Sequence, residues 1–159
     1  MRVFPILFLF LLSACDEPSP PTGHTYTTGT DKEFPVVIED LEFAITERNY
    51  RIVNTLEIGK AIRERGASGF PENTVILFCN LSIAQSMLEQ APEYLDHCPA
   101  RISVRQTDSD VLISGHLFPE SGYNQALDQT VRTTNTHIIE IINYASRKWP
   151  AVDGDAAGN

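Results

Sequence analysis

Apolar residues recur with two different periods along residues 33–149. Val37, Ile38, Leu41, Ala44, Ile45 and Arg48 step by three and four, the stripe of an amphipathic helix. Pro35 suits its first turn, where a missing N–H costs nothing. Tyr50 to Leu56 reads as a short strand, and Ile58 to Arg65 as a short helix ended by Gly66. Thr74 to Cys79 (TVILFC) is a continuous apolar run, which predicts a central strand buried on both faces. Ser82 to Gln90 predicts a helix stopped by Pro92. Arg101 to Arg105 alternates, Thr107 to Asp110 is turn chemistry, and Val111 to Leu117 returns as the second strand of a hairpin. Leu127, Val131, Thr134, Ile138, Ile141, Ile142, Ala145 and Trp149 predict a long C-terminal helix. That stripe can cover its own sheet or, at near-heptad spacing, meet a second copy; two heptads are short for a coiled coil, so its own sheet is favoured. Helices mixed with short strands predict an α+β fold, a two-layer sandwich of a small sheet of about four strands with helices packed on it.

The ends of the chain lack this patterning. Val3 to Leu12 is unbroken apolar sequence behind Arg2, about half the roughly 20 residues that a membrane span needs, so it reads as the core of a signal peptide. Leu12-Ser13-Ala14-Cys15 resembles the bacterial lipobox. The resemblance implies cleavage before Cys15, a diacylglyceryl thioether on its thiol and an acylated amino group. Two or more acyl chains give stable attachment, at about 0.8 kcal/mol per buried CH₂. Asp16 resembles the inner-membrane retention residue of enterobacterial lipoproteins. Asp16 to Lys32 is rich in Pro, Thr and Gly and poor in aliphatic residues. The reading is therefore a signal peptide at 1–14, a lipidated cysteine and flexible tether at 15–32, one domain at 33–149 and a disordered tail at 150–159. The expected location is the bacterial cell envelope, lipid-anchored and facing the periplasm.

Composition narrows the function classes. The 159 residues carry 21 acidic and 12 basic side chains, a net charge of -9. That argues against nucleic acid as a partner, since phosphate binding needs clustered Lys and Arg. Three cysteines are too few for a disulfide scaffold.

The stretch from Ile76 to Glu120 carries Leu77, Phe78, Asn80, Leu88, Pro92, Leu95, Asp96, Pro99, Val104, Asp108 and Pro119 in an order that resembles the family known as domain of unknown function 302. The helix at 36–48 and the strand at 51–56 fit that family's opening, so the likeness spans about residues 33–120. Leu81 stands where the family often has Pro, and Cys98 precedes Pro99 where some members have a Cys after it. The resemblance implies a compact α+β domain, for which a homodimer is plausible, and it brings no activity with it.

Candidate chemistry is sparse. With Cys15 lipidated, Cys79 and Cys98 remain, 19 residues apart. In an oxidising compartment they are either a disulfide, worth roughly 3 kcal/mol in the chain-entropy model, or two free thiols. No Cys-X-X-Cys spacing marks a redox motif. His97, Cys98 and His116 match no zinc spacing, and there is no haem attachment motif, so no metal site and no cofactor is expected. His24 and His137 stand apart from them. Glu39, Asp40, Glu42 and Glu47 read as a solvated helix face, and Asp108 with Asp110 as turn formers. No nucleophile elbow, phosphate loop or His-Glu-X-X-His motif occurs. Asn80-Leu81-Ser82 matches a glycosylation sequon, but a bacterial lipoprotein gives it no such use. The leading expectation is a non-catalytic envelope module that binds a small ligand or a protein. The alternative is a thiol- or metal-dependent activity that uses Cys79 and Cys98 with His97 or His116.

Overall fold

The computed structural model describes residues 25–122 and 124–148. The signal peptide, Cys15, the start of the tether and residues 149–159 lie outside the described residues. Five strands, β1 (Thr25–Thr30), β2 (Arg51–Glu57), β3 (Asn73–Cys79), β4 (Ala100–Gln106) and β5 (Val111–His116), form one antiparallel sheet in the order β1-β5-β4-β3-β2. The helices are α1 (Phe34–Glu47), α2 (Ile58–Glu64), α3 (Leu81–Gln90) and α4 (Gln125–Ser146), with a 3₁₀ turn at Pro92–His97. This is the expected α+β architecture, with a long C-terminal helix and one strand more than expected.

The additional strand corrects the tether. Residues 25–30 (TYTTGT) pair along the whole of β5, from Thr25 opposite His116 to Thr30 opposite Val111. Tyr26, Thr28 and Thr30 turn toward the core while Thr25, Thr27 and Gly29 stay exposed. Thr and Tyr favour a pleated, half-buried surface, and this period of two was hidden by the segment's low aliphatic content. Tyr26 Oη also donates to Asn143 of α4 at 2.7 Å. The domain therefore begins near residue 25, not at residue 33.

The core lies on one face of the sheet. Ile76 and Phe78 of β3, Ile102 and Val104 of β4, and Val111 and Ile113 of β5 are buried against Val37, Leu41 and Ile45 of α1 and Val131, Ile138, Ile141 and Ile142 of α4. The α4 stripe thus covers its own sheet. Gly115 lets α4 come close: a Cβ there would sit 2.6 Å from Ile142 Cδ1 and 2.8 Å from Ile138 Cγ2. On α2, Gly59 allows a similar approach, since a Cβ would lie 2.4 Å from the carbonyl oxygen of Pro71.

Among the described residues the opposite face has no helical layer. None of its strand positions is buried, and Val75 and Leu77 are only half-buried. That corrects the expectation of a strand buried on both faces. Strand β4, not β3, is the middle of the sheet. The apolar run of β3 is explained by a core face (Thr74, Ile76, Phe78) interleaved with apolar residues on the open face.

Candidate functional site

At one end of the sheet, β3 terminates in Cys79 and the chain turns directly into α3. Asn80 caps that helix: its side-chain oxygen accepts from Ser82 N and Ile83 N, both at 3.1 Å, and its amide donates to Asn49 O at 3.0 Å. The sequon asparagine thus has a structural role as a helix cap. Helix α3 and the 3₁₀ turn then loop back and deliver Cys98 beside Cys79. The two Sγ atoms are 3.4 Å apart, in contact but unbonded, since a disulfide would hold them at about 2.05 Å. Tyr94 fastens the returning turn by donating to Pro119 O at 2.6 Å.

Behind the thiols is a cavity of about 30 Å³, lined by Phe78, Ile83, Met87, Phe118 and Thr134 among others. It has room for about one water-sized sphere, whereas a cavity that takes up benzene measures about 150 Å³. It therefore does not hold an organic ligand. Tyr50 forms part of its wall and contacts His137 Nδ1 at 3.1 Å. Burial pushes the Tyr50 hydroxyl up to about 12. Burial and the neighbouring Cys98 likewise push the Cys79 thiol up to about 11. Cys79 is thus protonated at neutral pH, the opposite of an activated nucleophile.

His97 and His116 come together next to this cavity. Their rings stack with centroids 6.3 Å apart, and Phe118 packs against His97. With Asp96 and Arg101 they border a polar recess of about 40 Å³. Burial, then Arg101 and His97, lower the His116 pKa below the ordinary imidazole value. Phe118 and Ala100 line both recesses. Among the described residues no three His, Cys, Asp or Glu side chains converge as metal ligands. The carboxylates do not gather either. Asp40 pairs with Lys32. Asp110 closes its turn, its backbone accepting from Thr107 N at 2.8 Å and its N–H donating to Thr107 Oγ1 at 3.0 Å.

The open face of the sheet is a second candidate. It presents Arg51, Arg101 and Arg105, none of them in an ion pair with a described residue. No strand position on that face is acidic, in a chain whose net charge is -9. Between the arginines lie Val75, Leu77 and Leu112, and beside them Ile58 and Phe70 border an open groove of about 330 Å³. The sequence signal for this surface was available only in β4, where Arg101, Ser103 and Arg105 alternate with core residues.

Comparison with known proteins agrees with this topology. The model of the family described as "Domain of unknown function DUF302" matches residues 25–143. The chain belongs to this family. The match begins at the first residue of β1, again beyond the expected domain boundary. A solved structure, an uncharacterized conserved DUF302 protein from Bacillus stearothermophilus, superposes with a TM-score of 0.66. The identity is 16%, covering 77% of this chain and 98% of that one, so the likeness shows the DUF302 fold alone. No curated protein matches.

Proposed function

We propose that this DUF302 domain is a lipid-anchored, non-catalytic envelope module that binds an acidic protein segment on the open face of its sheet. The observation that carries this reading is the set of three arginines, without an ion pair to any described residue, on the sheet face that no described helix layer covers. An interface core needs apolar anchors ringed by polar groups, and Leu77 opposite Arg101, Val75 opposite Ser103 and Leu112 opposite Arg105 have that composition. The cavity behind the thiols is too small to support the small-ligand version of the reading.

Charge decides among occupants of the face. A second copy seated face to face brings two sets of arginines into one interface with no carboxylate to meet them. An anionic bilayer calls for a cluster of about 4–8 Lys or Arg, more than the three here, and the rest of the domain is repelled by it. An acidic protein segment meets both the charge and the apolar positions. The anchor rests on the lipobox-like Leu12-Ser13-Ala14-Cys15. Among the described residues no helix is long and apolar enough to cross a membrane.

Two measurements test this. Labelled fatty acid should enter the protein, and Cys15→Ala should abolish labelling. A photo-crosslinking residue at Leu112 should capture an envelope protein in intact cells, while one at Glu42 on α1 should not. Arg101→Glu with Arg105→Glu should remove the adduct. An adduct with a second copy, with lipid, or equally from both positions would sink the reading.

A second reading, thiol chemistry at Cys79 and Cys98, is favoured by the 3.4 Å contact. The raised Cys79 pKa, and a recess at His97 and His116 that includes neither thiol, weigh against a nucleophilic version. Rapid selective alkylation of Cys98 in reduced native protein would revive it.

A further inference from the structure

We propose that the reduced Cys79–Cys98 pair is a binding site for a single soft, monovalent metal ion, Cu(I), with the thioether of Met87 as a third ligand. The inference does not depend on the open-face reading. It rests on which atoms meet and on the space beside them. Two sulfurs stand 3.4 Å apart at the edge of a cavity of about 30 Å³. That space admits one ion and no organic molecule. Met87, itself buried, lines the same cavity.

Ligand type then selects the metal. Zinc in proteins takes four ligands drawn from Cys, His and carboxylate, and no three such groups converge among the described residues. Calcium and magnesium need six or more oxygens, and the walls are almost wholly apolar. Thiolate and thioether donors in low number select Cu(I). At a metal–sulfur distance of about 2.3 Å, two sulfurs with this separation subtend roughly 95° at the ion. A chelate that bent leaves one side of the ion open for a third donor.

Binding is a proton exchange with no redox step. Each thiol gives up its proton as its sulfur bonds to Cu(I), so two protons leave and the copper stays monovalent. The two sulfurs are also the only described partners for a disulfide, so a bound ion holds both and leaves neither free to attack the other.

The test uses the full chain, reduced and kept without oxygen, and Cu(I) presented as its bicinchoninate chelate. One equivalent of copper should leave the coloured chelate, and an ultraviolet thiolate-to-copper band should appear. Both thiols should then resist alkylation. Cys79→Ser and Cys98→Ser should each cost more than the roughly 10–100-fold that follows loss of a metal's supporting partner. Met87→Leu, which conserves volume, should weaken retention by roughly tenfold with its circular dichroism unchanged. Zn(II) offered in place of Cu(I) should not be retained. No withdrawal of copper by the wild type overturns the proposal, and so does equal withdrawal by the double serine variant. Met87→Leu at wild-type affinity removes Met87 from the site.

Discussion

The two faces of the sheet come from the same strands and differ in almost every physical respect. On β4, Ala100, Ile102 and Val104 point into a layer closed by α1 and α4, while Arg101, Ser103 and Arg105 point to water. On β5, Val111, Ile113 and Gly115 are covered, while Leu112, Ser114 and His116 are half-exposed. One residue of register separates the two sets: the inner one supplies the burial that folds the chain, and the outer one faces solvent. On the helical side Asp40 pairs with Lys32 and Glu140 with Arg48, whereas the outer face keeps three arginines without an ion pair to a described residue. An antiparallel sheet permits this division because each strand can be solvated on one side.

Removing β1 is the harshest way to break the contrast. Deletion of residues 1–30 uncovers the edge of β5 and the Tyr26–Asn143 bond, whereas deletion of residues 1–24 removes none of the described structure. The shorter deletion should melt like the parent, and the longer one should lose several kcal/mol, a large part of a typical 5–15 kcal/mol stability. Equal melting curves would return residues 25–30 to the tether.

Next is the inner face. Ile138→Ala, in a fully buried position between α4 and the sheet, should cost about 2–5 kcal/mol in urea unfolding. A loss below about 1 kcal/mol would mean that the α4 contact is loose.

Acid should act between the two faces, at the loop that leads into α4. Asp128 accepts from Ser121 N at 2.6 Å, Ser121 Oγ at 2.7 Å and Gly122 N at 3.1 Å. The Ser121 hydroxyl above all, then the backbone N–H groups, hold its carboxyl below the usual carboxylate value. A depressed pKa stabilises the fold above the unfolded value of about 3.9 and is lost as pH falls through the folded one. Asp128→Asn should therefore flatten the acid limb below about pH 4 and leave its shape near neutrality alone. An unchanged acid limb would count against the carboxylate's part.

The smallest effect is expected outside. Arg101→Ala and Arg105→Ala should each shift stability by no more than about 0.5 kcal/mol, since nothing described pairs with them. A loss of 2 kcal/mol or more at either would show that the open face is part of the fold after all.

Much of the covered face was legible in the sequence. The α1 and α4 stripes, the β4–β5 hairpin and the helix ended before Pro92 all follow from period and punctuation. β1 was not, because six residues of Thr, Tyr and Gly look like linker until a partner strand supplies their hydrogen bonds. β3 was placed at the centre because a continuous apolar run does not reveal whether its second face is covered. The site was less legible still. Cys79, Met87 and Cys98 meet only because α3 and the 3₁₀ turn fold back, a return that no residue spacing encodes. His97 and His116 were noted together, and the fold does stack them, yet they line a recess that includes neither thiol.

The early start of β1 also sets a length. Had the tether run to residue 32, a domain anchored at Cys15 could stand about 60 Å from its lipid at full extension. With the first strand beginning at Thr25, ten residues remain, a reach of about 35 Å. On the anchor proposed above, a domain on so short a leash would sample a thin shell over the bilayer. Its effective concentration toward anything else in that shell is high, and it falls to nothing for a partner held farther out.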